Sequence, residues 1–183
     1  MFKNKYLFIL LLSISFSQSS DAKIINKIFF VGNKQIGTNE LEYQIELKPP
    51  SIMAFNSIDF DRRLLKLDAI NVKNYYNSKG FLEASVKDSF NVDNNKVDIF
   101  FLINENKQYF LNSVKIEGLK SLNENKILAS LGLFKGQPYN PIIINKKLSI
   151  IDELLQLKGK IFSTIDIAQS IQDSVNIVIK LNE

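Results

Sequence analysis

The chain has 183 residues, of which 45% are hydrophobic and 23% are charged, with a formal net charge of +4. This much apolar material excludes a disordered chain and is enough for one domain or two small ones. The sequence contains no histidine, cysteine or tryptophan, which excludes thiol nucleophiles, imidazole bases, zinc sites of the Cys/His type and disulfides. We therefore expect a protein that is not an enzyme.

The N-terminal segment has the features of a cleavable signal peptide. Lys3 and Lys5 precede an apolar run, Tyr6–Leu12, and small serine residues follow it. The run is shorter than the roughly 20 residues that a membrane-spanning helix needs. A basic start, a short apolar segment and a small-residue exit indicate export. We predict a signal peptide over residues 1–19, with cleavage after Ser17 or Ser19.

The basic charge does not indicate a nucleic-acid partner. Removal of the predicted signal leaves 21 basic against 19 acidic residues. Arg62 and Arg63 are the two arginines, and the lysines are scattered along the chain. Nucleic-acid binders usually cluster basic residues and favour the bidentate guanidinium group, so we expect no nucleic-acid partner.

The remainder of the chain is an internal repeat. The segment Ile28–Gly32 matches Val114–Gly118 at an offset of 86, and Gly80 matches Gly159 at an offset of 79. At an offset of 84, Phe60, Leu64 and Leu67 fall on Ile144, Leu148 and Ile151. The matches keep their order along the chain, which favours two copies of one structural unit.

Each copy has the same predicted order: a strand, a short helix, a longer helix and two final strands. Thr38 and Asn123 are the predicted N-caps of the short helices, and prolines end both of these helices. An apolar stripe at helical spacing runs along the second longer helix, whereas the first keeps Phe60, Leu64 and Leu67 but has Asn71 at the fourth place. The predicted elements are Ile24–Val31, Asn39–Leu47, Asp59–Asn77, Phe81–Phe90 and Val97–Ile103 in the first copy, and Leu111–Glu117, Glu124–Leu133, Ile142–Leu157, Ile161–Ile171 and Val175–Leu181 in the second.

Paired carboxylates are the remaining candidates for chemistry. Asp59 and Asp61 lie at a predicted helix start, and Asp152 and Glu153 lie on a polar helix face. A catalytic pair needs burial and a partner that separates the two pKa values, so helix solvation explains these residues better. We predict no catalytic residue, cofactor, metal site or small-molecule substrate.

The first copy resembles the POTRA (polypeptide-transport-associated) family, as found in BamA- and TamA-type outer-membrane protein assembly factors. The resemblance rests on a strand ending in Val31-Gly32-Asn33, on Tyr76-x3-Gly80-Phe81-Leu82-x-Ala84-x-Val86, and on a last strand ending in Asn104-Glu105. The second copy departs from this pattern, since no tyrosine precedes Gly159 and Lys160 replaces the aromatic residue.

The resemblance implies an α+β fold of two tandem β-α-α-β-β domains, over residues 24–105 and 108–183. Each domain would be a three-stranded mixed sheet covered on one face by two helices, with the final strand central. The implied location is the periplasmic face of the bacterial outer membrane, and the implied partners are unfolded outer-membrane proteins or periplasmic assembly partners. We expect a fragment whose full-length protein continues into a membrane β-barrel. The alternative is the POTRA scaffold of a two-partner secretion transporter or a cell-division protein, which mainly docks partner proteins.

The family's sheet order makes the second strand of each copy an edge strand. Such an edge offers backbone N–H and C=O groups to an extended client, largely independently of client sequence. The inward side chains of this strand are predicted to be Leu82, Ala84 and Val86. The predicted polypeptide-binding residues are Leu82, Glu83, Ala84, Ser85, Val86 and Lys87.

The outer face of the first sheet carries an unexpected apolar set. Alternation directs Phe29, Val31, Phe100 and Leu102 away from the helices, where a two-layer domain needs no apolar side chains. The equivalent positions of the second copy include Lys115, Glu117 and Lys180. We therefore predict a docking patch at these four residues, the alternative being coverage by the signal-proximal segment or by the second domain.

Overall fold

The computed structural model describes residues 23–50, 59–121 and 123–182; the predicted signal peptide, residues 1–19, lies outside these ranges. The described chain forms two successive units with the same order of elements. The first unit contains β1 (Ile24–Val31), α1 (Thr38–Glu42), α2 (Arg62–Ser78), β2 (Ser85–Asp93) and β3 (Lys96–Asn104). The second contains β4 (Leu111–Glu117), α3 (Glu124–Leu131), α4 (Pro141–Leu157), β5 (Thr164–Ile171) and β6 (Val175–Asn182).

Each unit has its own three-stranded sheet. The strand orders are β1-β3-β2 and β4-β6-β5, so the last strand of each unit is central. The central strand pairs in parallel with the first strand and antiparallel with the second. The predicted α+β fold of two tandem mixed-sheet units is therefore confirmed, and so is the sheet order that the resemblance implied.

The central strands form the floor of two separate hydrophobic cores. Along β3, every second side chain is buried under the helices, from Val97 to Ile103. Along β6 the same alternation runs from Val175 to Leu181. Successive side chains of a strand point to opposite faces of the sheet, and the helices cover only one face, so burying every second side chain requires apolar residues at alternate positions.

The β2–β3 hairpin turns at two asparagines. Asn94 and Asn95 have positive φ angles of 44° and 65°, and the strands pair up to Asp93 and Lys96. Two residues with positive φ form the tight turn whose twist matches a β-hairpin, and asparagine tolerates this conformation well. The turn is therefore shorter than the link left between the predicted strands Phe81–Phe90 and Val97–Ile103.

The short helix of the first unit differs from its prediction. It ends at Glu42 rather than Leu47, and its N-cap is Gly37 rather than Thr38. The backbone N–H groups of Glu46 and Leu47 donate to the Asp68 carboxylate at 2.9 and 3.0 Å. These amides bind a side chain instead of helical carbonyls, so the helix ends early. In the second unit Asn123 is the N-cap, as predicted.

The long helix of the first unit begins at Arg62, after its N-cap Asp61, and buries a different stripe from the predicted one. Its buried apolar residues are Leu65, Ala69, Val72 and Tyr76, whereas Leu67 is exposed. These four residues correspond to Ile144, Leu148, Ile151 and Leu155 of α4 at one constant offset of 79. The predicted offset of 84 for this helix is wrong. The offset falls from 86 to 79 before the helix, because the link between the two helices is shorter in the second copy.

The strand after each long helix begins later than predicted. A tight turn follows the helix, in which Ala84 N–H donates to the Phe81 carbonyl at 3.2 Å and Ser163 N–H donates to the Lys160 carbonyl at 3.3 Å. The predicted strand starts at Phe81 and Ile161 therefore move to Ser85 and Thr164.

Candidate functional site

The β2 strand presents a free edge along its whole length. Residues 85–93 pair with β3 on one side, and among the described residues they make no backbone hydrogen bond outside this ladder. In an antiparallel strand, alternate residues direct their N–H and C=O groups outward. The free edge can therefore pair with an added extended chain.

The first strand of each unit is covered where it begins. Ile24 forms a bridge with Asp59, and Phe60 N–H donates to the Lys23 carbonyl at 2.9 Å. In the second unit, Leu111 N–H donates to the Gln137 carbonyl at 2.9 Å. The link between the two helices of each unit thus occupies one sheet edge and leaves the β2 and β5 edges open.

The structure divides the six predicted edge residues into two groups. Ser85, Val86 and Lys87 form the start of β2, as predicted. Leu82, Glu83 and Ala84 lie in the turn before the strand and cannot pair there with a client strand. Ala84 is buried in the first core, and Val86 packs against it. Leu82 instead packs against the second core, so its predicted inward position in the first sheet is wrong.

A cleft of about 780 Å³ borders the far end of the β2 edge on the helix side. The Phe60 and Phe90 rings pack there with centroids 4.7 Å apart, and the Arg62 guanidinium lies 5.8 Å from the Phe90 ring centroid. The remaining lining comes mainly from Lys23, Asp59, Asp61 and Leu64. A strand added to β2 would direct alternate side chains toward this cleft.

The four residues of the predicted docking patch lie together on the outer face of the first sheet. Phe29 and Phe100 are register partners and stack with ring centroids 5.0 Å apart. Val31 is the register partner of Leu102, and both are exposed. A depression of about 410 Å³ at the end of the patch is lined by these two residues and Lys87, among others. Within the described part of the chain the second unit does not cover the patch.

The outer face of the second sheet is different. Its outward positions on β4 and on the central strand β6 include Lys115, Glu117 and Lys180, as the alternation predicted, with Val178 as an apolar exception. Since both sheets have the same topology, the apolar patch is a property of the first unit rather than a requirement of the fold.

The turn that contains Leu82 is also the junction between the two units. Gly80 carbonyl accepts from Tyr109 N–H at 2.8 Å, and Glu83 carboxylate accepts from the Tyr109 hydroxyl at 2.8 Å. This hydrogen bond, together with burial, raises the pKa of the Tyr109 hydroxyl. The side-chain amide of Gln108 donates to the Lys79 carbonyl at 2.8 Å. Sequence reasoning missed this junction, because contacts across a domain boundary leave no periodic signal.

Two other kinds of feature are not found in the described ranges. No helix within residues 23–50, 59–121 and 123–182 is both long and apolar enough to cross a membrane. In the same ranges, no cluster of three acidic side chains is arranged to hold a metal ion.

A family comparison agrees with the internal repeat. The family described as POTRA, surface antigen variable number repeat, matches residues 23–106 and again residues 109–183. The two matches meet at the linker between the two units described above.

Solved structures with the same fold include parts of BamA and Omp85 proteins. The Haemophilus influenzae BamA POTRA3-5 structure is 22% identical, with a TM-score of 0.58 over 88% of this chain and 66% of that chain. The N-terminal domain of Omp85 from Thermosynechococcus elongatus is 14% identical, with a TM-score of 0.55 over 86% of this chain and 61% of that one. Haemophilus ducreyi BamA lacking POTRA domains 1-3 is 17% identical, with a TM-score of 0.56 over 87% of this chain and 29% of that one. This chain spans less than two thirds of each of these structures.

Proposed function

Because this chain belongs to the POTRA family, we propose that it is the periplasmic polypeptide-binding region of a BamA-like outer-membrane protein assembly factor. Its clients would be unfolded outer-membrane proteins, bound in extended form. The proposal assigns the chain no catalytic step, cofactor or metal. The predicted export signal supports a periplasmic location, and the single observation that carries the binding role is the free β2 edge.

Binding at this edge would be β-augmentation. The client strand would pair with the outward N–H and C=O groups of β2, and this pairing depends on the backbone rather than on client sequence. Outer-membrane proteins are built of strands of about ten residues with alternating apolar and polar side chains. A strand of this kind fits β2, which is nine residues long, and can direct its apolar side chains toward Phe60 and Phe90.

Proline substitution at two neighbouring positions tests the proposal. Of Lys87 and Asp88, one directs its N–H to β3 and the other to the free edge. Proline removes that N–H, so Lys87→Pro and Asp88→Pro separate loss of the ladder from loss of the edge. The probe is a fluorescent ten-residue peptide with alternating apolar and polar residues, and the measurement is fluorescence anisotropy. A peptide of the same composition without alternation is the control ligand.

We expect the proline variant that keeps the wild-type unfolding free energy to lose at least tenfold in peptide affinity. The matched control in β5, the open edge of the second unit, is Asp166→Pro for Lys87→Pro and Ile167→Pro for Asp88→Pro, and it should leave peptide affinity unchanged. Wild-type affinity in a fully folded edge variant would contradict augmentation at β2. Loss only in the β5 control would move the binding site to the second unit.

The outer patch favours a second candidate function, the docking of a partner protein. This role corresponds to the scaffold of a two-partner secretion transporter or a cell-division protein. The stacked pair Phe29 and Phe100, with Val31 and Leu102, forms a contiguous apolar surface that the unit's own core does not use. Such surfaces commonly mark interaction sites.

A double substitution distinguishes this second function from peptide binding. Because Phe100 is half-buried against Phe29 and Leu102 is exposed, Phe100→Ser with Leu102→Thr should lower the unfolding free energy by about 1–2 kcal/mol. Docking predicts that this variant loses a defined periplasmic partner and keeps its affinity for the peptide probe. Val178→Ser, at the position equivalent to Phe100 in the second unit, is the control. A large loss of stability would mean that the patch is internal and would exclude docking.

A further inference from the structure

The turn after the long helix has the same backbone design in both units. In the first unit, the Tyr76 carbonyl accepts from the N–H groups of Lys79 and Phe81 at 3.0 Å each. In the second, the Leu155 carbonyl accepts from those of Lys158 and Lys160 at 3.0 and 2.9 Å. The two turns can therefore be compared residue by residue, at the constant offset of 79 that relates Gly80 to Gly159.

In the first unit this turn holds the second unit. Tyr109 N–H donates to the Gly80 carbonyl at 2.8 Å, and the Tyr109 carbonyl accepts from Tyr139 N–H at 2.9 Å. Leu82 packs against the second core. Ser78 lines the crevice of about 320 Å³ between the units. A Cβ on Gly80 would lie 2.5 Å from the Tyr109 carbonyl oxygen, so the linker approaches as closely as glycine alone allows.

Three positions of the first junction, Ser78, Leu82 and Glu83, are occupied in the second unit by exposed apolar side chains. The corresponding residues are Leu157, Ile161 and Phe162. Their exposed fractions are 83%, 67% and 91%. A Cβ on Gly159 would meet no atom of the described chain within 4 Å. The turn thus has the backbone conformation of the first junction, but its side chains are exposed and no linker lies against Gly159 in the described chain.

The second core does not account for these residues. Its share of α4 ends at Leu155, which is completely buried, and neither Ile161 nor Phe162 is part of that core. Single exposed apolar residues are common on protein surfaces. Three that coincide with the contact positions of an existing junction are a different observation.

We propose that Leu157, Gly159, Ile161 and Phe162, here termed the distal surface, bind a further domain of the same fold. That domain would enter through a linker that crosses Gly159 as residues 106–109 cross Gly80. The Gly159 carbonyl would accept from the linker backbone, and Ile161 would pack on the core of the new domain as Leu82 does on the second. The distal surface lies apart from the β2 edge, so this inference does not depend on client binding.

A fusion protein supplies the occupant. Residues 106–183 are repeated directly after Glu183, which reproduces the connection that follows Glu105. The natural sequence has no tryptophan, so Phe162→Trp in the original segment, with phenylalanine kept in the repeated one, places a single fluorescent reporter on the distal surface. Tyr43→Trp, at an exposed position of the first unit, is the control reporter. Far-UV circular dichroism of the fusion checks that the added unit is folded.

We expect the indole emission of the Phe162→Trp variant to shift to shorter wavelength in the fusion relative to the unfused chain, while that of the Tyr43→Trp variant stays unchanged. Adding Gly159→Ala should reverse the shift, because a Cβ there would meet the incoming linker as one on Gly80 would meet Tyr109. An unchanged emission of the Phe162→Trp variant in the folded fusion would overturn the proposal. A concentration-dependent shift in the unfused chain would also overturn it, since the surface would then bind a second copy of the chain.

Discussion

At the residue scale, a buried carboxylate connects the end of the first unit to its beginning. Glu105 follows the last strand and is buried. It accepts from the Tyr76 hydroxyl at 2.9 Å, from Gln35 N–H at 2.9 Å and from Ile36 N–H at 3.4 Å. Hydrogen bonds to a charged group are among the strongest that a protein makes. The tyrosine and the final Asn-Glu of the sequence pattern thus act as one structural anchor.

Tyr76→Phe tests this anchor by removing a single hydroxyl group. The ring still fills the core, but Glu105 loses a donor while it remains buried. We expect the unfolding free energy to fall by about 1.5–3 kcal/mol, measured by urea denaturation. Tyr43→Phe, which removes an exposed hydroxyl, should change stability by no more than a few tenths of a kcal/mol.

The same substitution has a predicted pH dependence. Burial, and then the hydrogen bond to Glu105, raises the pKa of the Tyr76 hydroxyl above its ordinary value of 10.0. Above that pH the unfolded chain releases the proton and the folded chain keeps it, so stability falls as the pH rises. The stability difference between wild type and Tyr76→Phe should therefore shrink as the pH rises above about 10, the ordinary tyrosine value, and should go on shrinking until the pH reaches the folded-state pKa. A constant difference would show that Tyr76 titrates normally.

At the element scale, oppositely charged side chains of the long helices hold the chain at or after the short helix of each unit. Asp68 of α2 accepts from the N–H groups of Glu46 and Leu47, which follow the end of α1. Lys147 of α4, at the equivalent position, donates to the carbonyl of Leu131, the last residue of α3. Carbonyl groups at a helix C-terminus lack helical partners, which suits an ammonium group, whereas the N–H groups of the irregular segment after α1 suit a carboxylate. The two sequences therefore need different local backbones.

Asp68→Ala should destabilise the first unit more than the substitution of an exposed residue on the same helix does. The substitution leaves two backbone N–H groups without an acceptor, and that of Leu47 is buried. We expect a loss of about 1–3 kcal/mol, measured by urea denaturation. Lys66→Ala, on the exposed side of the same helix, is the control and should lie within about 0.5 kcal/mol of wild type. Equal effects of the two substitutions would mean that water replaces the carboxylate.

At the scale of the whole molecule, two cores are joined by one junction. The cores contain no residue in common, but Leu82 of the first unit packs on the second core, and Lys107 of the linker forms an ion pair with Asp173 at 2.9 Å. Side-chain packing and backbone hydrogen bonds at Gly80 therefore couple two units that are otherwise independent. The ion pair is exposed and adds little to this coupling.

Leu82→Ser should weaken this coupling. Leu82 is half-buried, so its loss should cost about 0.75–1.5 kcal/mol, half of the value for a fully buried leucine. Calorimetry should then show separate unfolding transitions, with the second unit unfolding at a lower temperature than in wild type. Ile161→Ser occupies the equivalent position and removes an exposed side chain, so in the unfused chain it should leave both transitions unchanged. The same effect from both substitutions would exclude a specific junction contact.

Local alternation determined the strands of this protein from the sequence alone. Along β3 and β6 every second side chain is apolar and faces the core, and a period of two can be satisfied by a single face of a sheet. In β1 and β3 the intervening positions Phe29, Val31, Phe100 and Leu102 are apolar as well. The inward set follows from this period, and so does the assignment of these four residues to the outer face. The repeat and its resemblance then supplied the order of the strands.

Tertiary packing decided what local pattern left open. The α2 sequence contains Leu64, Leu65, Leu67, Ile70 and Val72, which is enough for more than one apolar stripe. Only contact with the sheet selects the stripe of Leu65 and Val72. The start of β2 depends on the Phe81–Ala84 turn, and the junction depends on a close approach between Gly80 and Tyr109. Such contacts join residues far apart in sequence, and no periodicity within one element specifies them.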